Sequence, residues 1–161
     1  MALIHTHHNV YDTHYHIVFP VKYRKALLAD EIPLAIVQIA QAIGERYDIE
    51  FEKIGCDNDH IHILTSFPPK HGGSDVVRIF KSITARELFR RFPALRKELW
   101  GGQFWSDGFY LATVSERGNW KVVERYVANQ GKTMAGPQQL RLLNLGQATV
   151  HTLRLAAGGL I

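Results

Sequence analysis

Hydrophobic and polar positions alternate over several short stretches of the chain. Aromatic and branched residues at every second position predict a first strand over residues 11–19, which ends at a proline. The same period predicts a second strand over 49–56 and a third over 60–67, joined by a tight turn as a hairpin. A fourth strand, rich in aromatic residues and interrupted by glycines, is predicted over 101–114 with a bend at Gly108.

Apolar residues at helical spacing predict helices between these strands. The first is expected to start with Asp30 as its N-cap and to carry Pro33 in its first turn. A second, longer helix is expected to be capped by Ser74 or Asp75 and to end at Pro93.

A final helix is predicted from Asn119 to about Lys132, which completes the order strand, helix, strand, strand, helix, strand, helix. This order predicts an α+β sandwich with a central, mainly antiparallel sheet, of the ferredoxin-like or RRM-like βαββαβα kind. Strands one and three would lie centrally in that topology. We expect one domain over 1–134 and an extension of uncertain structure over 135–161.

A pair of histidines separated by one apolar residue starts the third strand. Because side chains alternate along a strand, His60 and His62 should share one face, while Ile61 and Ile63 enter the core. Two imidazoles on one rigid face form half of a metal site. Taken alone, such a triplet more often represents ordinary strand histidines on a solvated face.

The first strand contains a second histidine pair with the same spacing. His14 and His16 also flank a single residue, Tyr15. The spacing alone therefore does not decide which pair binds a metal.

The final helix carries a tyrosine and a glutamine four residues apart. Tyr126 and Gln130 would project from one helix face. If that face docks on the sheet, Gln130 could join His60 and His62 around Mg²⁺ or Mn²⁺, with positions left open for a phosphate oxygen and water. The Tyr126 phenol could then attack phosphorus. Without the histidine pair, a half-buried helix tyrosine would be the better interpretation.

Two basic segments are candidates for nucleic-acid contact. The loop after the first strand places Lys22 and Arg24 around Tyr23, a mixture that suits phosphates and bases. The second helix adds Arg78 and Lys81 on a polar face that is mostly of one sign. A solvated turn explains the loop charges equally simply. A charged helix face is usually just solvated, but here only Glu87 opposes the positive charges, which favours a polyanion contact.

Composition and charge exclude few classes of protein. The 161 residues are 46% hydrophobic and 21% charged with a net charge of +4, an ordinary globular balance with a mild basic excess. The single cysteine, Cys56, excludes a disulfide framework, favours a reducing cytoplasmic setting and is expected to be structural. We find no signal peptide, no membrane-spanning stretch and no nucleotide-binding loop, and we expect no membrane contact and no nucleotide cofactor.

Four motifs in this order resemble those of the single-tyrosine HUH transposases, the short transposases of the smallest prokaryotic insertion sequences. They span roughly residues 10 to 133, and together they are specific although each is weak alone. The motifs are Tyr15-His16-Ile17-Val18-Phe19 with Lys22-Tyr23-Arg24, then Asp59-His60-Ile61-His62-Ile63-Leu64, then the run from Phe104 to Val114, and Tyr126-Val127-Ala128-Asn129-Gln130.

The resemblance implies roles for individual residues. It makes His60 and His62 the metal-binding pair, Gln130 a further ligand and Tyr126 the nucleophile, and it gives His14 no metal role. Asn58 stands where the family often has proline, a difference expected to alter the turn and not the chemistry.

The resemblance also implies an activity, a substrate and an assembly. We expect a DNA transposase that cleaves and rejoins single-stranded DNA at hairpin-bearing element ends through a 5′-phosphotyrosine. Because one tyrosine holds one cut end, a homodimer with two composite sites is expected. The alternatives are a non-catalytic single-stranded nucleic-acid binding module, or a metal-dependent phosphoesterase that uses water.

Overall fold

A computed structural model describes residues 3–5, 7–114 and 143–144. The strands are β1 (Ile4–His5), β2 (Val10–Tyr11), β3 (His14–Pro20), β4 (Glu50–Cys56), β5 (His60–Ser66), β6 (Tyr110–Val114) and β7 (Leu143–Asn144). The helices are α1 (Ile32–Tyr47), α2 (Gly73–Arg91) and α3 (Leu95–Glu98), and a short turn of 3₁₀ type covers Lys22–Arg24.

The described strands form a main sheet in the order β6-β3-β5-β4-β7, and β1 pairs separately with β2. All neighbouring pairs of the main sheet are antiparallel. The α+β class and the central antiparallel sheet are therefore confirmed. β3 and β5, the predicted first and third strands, lie next to each other inside the sheet, and β4 and β5 form the predicted hairpin.

One face of the sheet packs against α1 and α2 to form the core. Ile61 and Ile63 point into this core from β5 and are almost completely buried. Ile17 and Phe19 do the same from β3, while Phe80 approaches from α2. Since side chains alternate along each strand, the histidines of β3 and β5 lie on the opposite face.

The first strand and the helix caps differ from their predictions. Tyr11 belongs to the short β2, and the main strand starts at His14. Asp30 has a positive φ of 53°, and the N-cap of α1 is instead Glu31, without a side-chain cap. Gly72 occupies the N-cap of α2, so neither Ser74 nor Asp75 has that role. Acceptor side chains near a helix start do not by themselves determine which residue is the cap.

The predicted strand over 101–114 is correct only for its last five residues, β6. The residues before it form a loop, apart from an isolated bridge between Trp105 and Val21. The Lys81 ammonium of α2 donates to the carbonyls of Ser106, Asp107 and Gly108 at 2.6, 3.3 and 2.9 Å. A lysine side chain thus binds the carbonyl groups that a strand would use for pairing.

The predicted final helix lies outside the described residues. Within the extension, Leu143–Asn144 forms β7, whose backbone pairs with Lys53 and Ile54 on β4. The division of the chain at residue 134 stays a prediction. In the part of the chain that the structure describes, no helix has the length and apolar character needed to cross a membrane.

Candidate active site on the histidine face of the sheet

His60 and His62 lie on the middle strand of the sheet, on the face opposite the core. Their ring centroids are 4.9 Å apart. The His60 side chain is 18% exposed, whereas His62 is only 2% exposed. The predicted shared face is therefore present, with one accessible imidazole and one buried imidazole.

The ring of His60 is oriented by the preceding residue. Its Nδ1 lies 2.6 Å from Asp59 Oδ1, and the other oxygen of that carboxylate lies 2.9 Å from Arg24 Nε. Burial acts against ionisation of Asp59, but the His60 hydrogen bond and the Arg24 charge outweigh it and lower the pKa of this carboxyl group. An ionised Asp59 accepts the Nδ1 proton of His60, so Nε2 is the nitrogen with which this ring would bind a metal.

The ring of His62 contacts a histidine of the neighbouring strand. His16 Nε2 lies 3.1 Å from His62 Nδ1, and the two rings are nearly parallel with centroids 5.4 Å apart. Both side chains are buried, and burial lowers the pKa of His16, which favours its neutral form. A neutral His16 can accept the Nδ1 proton of His62 at its Nε2, and the lone pair of His62 then also lies on Nε2.

Metal-binding histidines commonly donate the proton of their second ring nitrogen to a carboxylate or another acceptor, which fixes the ring and its tautomer. His60 and His62 each have such an acceptor, Asp59 and His16. The two side chains therefore fit a divalent metal by their donor chemistry. Within the described ranges no group of three or more His, Cys, Asp or Glu side chains could hold an ion, so the pair requires further ligands. The predicted ligand Gln130 and the predicted nucleophile Tyr126 both lie outside the described residues.

His14 and His16, the other histidine pair, have separate roles. His14 lies between two carboxylates, with Nδ1 2.5 Å from Glu52 Oε1 and Nε2 2.9 Å from Asp12 Oδ1. Burial raises the pKa of Glu52, and the hydrogen bond to His14 opposes this effect. His14 thus connects β3 to β4 through its contact with Glu52. Its neighbour on the same face, His16, contacts His62.

The contact between His16 and His62 was missed by the sequence reasoning. In the register of β3 and β5, Val18 lies opposite His62 and His16 lies opposite Leu64. His16 and His62 are therefore diagonal neighbours, within reach of long or aromatic side chains. The sequence contains one indication of this contact: two strands that are adjacent in the predicted sheet each carry histidines at alternate positions.

A tyrosine inside the described part also lies on this face. Tyr110 of β6 is paired with Val18, and its ring centroid is 6.2 Å from that of His16 in an edge-to-face arrangement. Its side chain is well exposed. Tyr110 is therefore a second phenol that any experiment on the nucleophile must separate from Tyr126.

The predicted DNA-contacting residues have different surroundings. Arg24 holds Asp59, and Lys22 lies 3.4 Å from the exposed carboxylate of Asp107. Arg78 is exposed and pairs within its own helix with Asp75. The three loop carbonyls that bind Lys81 favour a structural role for this residue over the predicted phosphate contact.

Comparison with known proteins identifies relatives of the whole described core. The family model "Transposase IS200 like" matches residues 9–130. The chain is 31% identical over 121 residues to the ISDra2 transposase TnpA of Deinococcus radiodurans, covering 75% of this chain and 86% of that protein. It is 29% identical over 123 residues to the transposase for insertion sequence element IS200 of Salmonella typhimurium, covering 76% of this chain and 80% of that protein.

A solved structure shares the fold as well. A crystal structure of a protein from Deinococcus radiodurans R1 superimposes on this chain with a TM-score of 0.65 at 30% sequence identity. The match covers 79% of this chain and 97% of that one.

Proposed function

The chain belongs to the family of IS200-like transposases, and from this premise we propose that it cuts and rejoins single-stranded DNA through a covalent bond to Tyr126. In the cleavage step the Tyr126 hydroxyl oxygen forms a bond to a backbone phosphorus and loses its proton. The bond between that phosphorus and the 3′ oxygen breaks. The products are a 5′-phosphotyrosine and a free 3′ hydroxyl.

One observation of the histidine face carries this proposal. His60 and His62 share one face, and each has an acceptor beside its Nδ1, Asp59 for one and His16 for the other. This pattern is typical of metal-binding histidines and is not required of ordinary strand histidines. It supports a site for Mg²⁺ or Mn²⁺ in which Gln130 is the additional protein ligand.

A metal bound there would polarise the scissile phosphate and stabilise the charge that develops on its oxygens. The chain's own residues orient the two imidazoles and supply the nucleophile. Asp59 and His16 hold the two imidazoles, and the His60 hydrogen bond together with the Arg24 charge lowers the pKa of Asp59, which favours its ionised form. Tyr126 retains the phosphodiester bond energy in its covalent link, so a later attack by a 3′ hydroxyl rejoins the strand without a nucleotide cofactor.

The proposed substrate is a pair of hairpin-bearing element ends, and the proposed working form is a homodimer. A single tyrosine holds one cut end at a time, whereas movement of a DNA segment requires two cut ends to be exchanged. Two chains together provide the two nucleophiles. In the arrangement that we propose, Tyr126 of one chain serves His60 and His62 of the other.

A denaturing gel tests the proposal. The protein is incubated with end-labelled single-stranded oligonucleotides carrying a candidate element end, with Mg²⁺, with Mn²⁺ or with a chelator. We expect a covalent protein–DNA band that requires metal and disappears in Tyr126→Phe. Tyr110→Phe is the matched control and should keep the band.

Other outcomes would replace the proposal with a different function. Cleavage without a covalent band would indicate a phosphoesterase that uses water. A mobility shift on a native gel with no cleavage would indicate a binding module. A band that persists in Tyr126→Phe and disappears in Tyr110→Phe would assign the nucleophile to Tyr110.

A further inference from the structure

Two aromatic side chains far apart in the sequence meet on the protein surface. The rings of Tyr23 and Trp100 are nearly parallel, with an interplanar angle of 12° and centroids 6.0 Å apart. Trp100 is 83% exposed and Tyr23 is 51% exposed. Most of the indole therefore faces solvent, although burial would be favourable for a side chain of this size.

The backbone beneath Tyr23 is both anchored and strained. The amide of Val21 donates to the Asp59 carbonyl, and the amide of Lys22 donates to the Phe104 carbonyl, both at 2.8 Å. Tyr23 then adopts a left-handed conformation with φ 59° and ψ 19°. The next residue, Arg24, has a φ of 52°. Two consecutive non-glycine residues in this region are costly, and such strain concentrates where a side chain must be held in a particular position.

Two lysines lie in the turn that carries Tyr23. The Lys22 ammonium lies 5.8 Å from the Tyr23 ring centroid, and Lys25 lies in the same turn. The partners of these lysines are exposed carboxylates, Asp107 and Glu98, at 3.4 and 3.2 Å. The Lys25–Glu98 pair is exposed on both sides and contributes little to stability, so a phosphate can replace this carboxylate at small cost. The Lys22 side chain is 21% exposed, but its partner Asp107 is 86% exposed.

The turn is connected to the proposed active site by direct contacts. Arg24 binds one oxygen of Asp59, and the other oxygen of that carboxylate holds His60. A strand that places a phosphate at His60 would therefore pass next to the turn that carries Tyr23.

We propose that Tyr23 and Trp100 form a stacking platform for an unpaired nucleobase of the DNA strand, one that flanks the bond to be cut. The inference rests on the proposed function and specifies where that substrate is held. Stacking on aromatic rings is tolerant of base identity, and the neighbouring lysines bind the backbone on either side of the stacked base. The platform thus recognises single-strandedness, because a base inside a duplex cannot expose its face.

The test compares two ligands that differ only in their bases. Binding of a dT homopolymer is measured against an oligomer of the same length with abasic sites throughout, both in chelator so that no cleavage occurs. Each stacked base contributes enough that wild-type protein should prefer the dT ligand by roughly fivefold to a hundredfold. Trp100→Leu and Tyr23→Leu should each reduce this preference at least about fivefold and leave affinity for the abasic oligomer nearly unchanged. Tyr23→Phe, which keeps the ring, should retain the preference.

Three results would overturn the inference. The first is an unchanged preference in both leucine variants. The second is an equal loss of affinity for the two ligands, which would indicate an electrostatic or folding effect. The third is a change of oligomeric state in Trp100→Leu by light scattering with the preference intact, which would make the indole a contact between chains.

Thermal melting shows whether each variant is folded, and little change is expected for Trp100→Leu because the side chain is so exposed. The measurement involves neither metal nor Tyr126. A failure of the covalent chemistry would leave it unaffected, so the two proposals fail separately.

Discussion

Replacement of His16 tests whether this buried histidine positions the proposed metal ligand His62. His16→Leu keeps a side chain of similar volume and removes the acceptor that lies 3.1 Å from His62 Nδ1. His16→Gln replaces the ring with an amide oxygen that can accept the same proton. If the contact fixes the tautomer of His62, the leucine variant should lose metal affinity and the glutamine variant should retain most of it.

The expected size of the loss follows from the type of contact. Removal of the partner that orients a metal-binding histidine typically lowers metal affinity about 10- to 100-fold. This range corresponds to about 1.4–2.7 kcal/mol of binding free energy. A similar free energy, about 1–3 kcal/mol, is lost when a buried hydrogen-bonding group is left without its partner.

Manganese titration followed by electron paramagnetic resonance measures the affinity directly, since the signal of free Mn²⁺ is lost on binding. His14→Gln is the matched control, because His14 occupies the same strand and face but contacts Asp12 and Glu52. It should lower the melting temperature without changing Mn²⁺ affinity. Equal Mn²⁺ affinity in wild type and His16→Leu would refute the positioning role. So would an equal loss in His16→Leu and His16→Gln, which would point to packing alone.

Three further predictions concern the thiol, the loop before β6 and the assembly. Burial raises the pKa of Cys56 to about 12, so little thiolate is present at pH 8. Ellman's reagent should therefore react slowly with native protein and quickly in denaturant. Fast labelling of the native protein would contradict this prediction. Lys81→Met removes the hydrogen bonds to three loop carbonyls and should lower the free energy of unfolding in urea by about 1–3 kcal/mol, and an unchanged midpoint would show that the loop is held by other contacts. A mixture of a Tyr126→Phe chain with a chain carrying His60→Ala and His62→Ala should recover the covalent band that each lacks alone, whereas no recovery would place each active site within one chain.

The features that the sequence predicted well depend on local periodicity. A period of two over residues 60–63 determines that Ile61 and Ile63 enter the core together, and the two histidines must then share the other face. The strand order follows from the sequence of elements, because few topologies satisfy strand, helix, hairpin, helix and strand.

The features that the sequence did not predict depend on contacts between distant segments. The pairing of His16 with His62 requires the register of β3 against β5, which no single stretch reveals. The segment before β6 has a strand-like pattern, which does not reveal that Lys81 of α2 binds the carbonyls of residues 106–108. The stack of Tyr23 on Trp100 likewise joins two loops whose approach is set by the whole fold.

In the proposed mechanism, Tyr126 attacks DNA at a metal site built on His60 and His62. Mapping of the covalent adduct tests both parts of this mechanism together. Protein that has reacted with single-stranded DNA and Mn²⁺ is digested with a nuclease and a protease, and the modified peptide is sequenced by mass spectrometry. We expect a phosphate-linked nucleotide on Tyr126, present in wild type and absent when His60 and His62 are both alanine. A nucleotide on Tyr110, or an adduct on Tyr126 that forms equally well without the two histidines, would contradict the account.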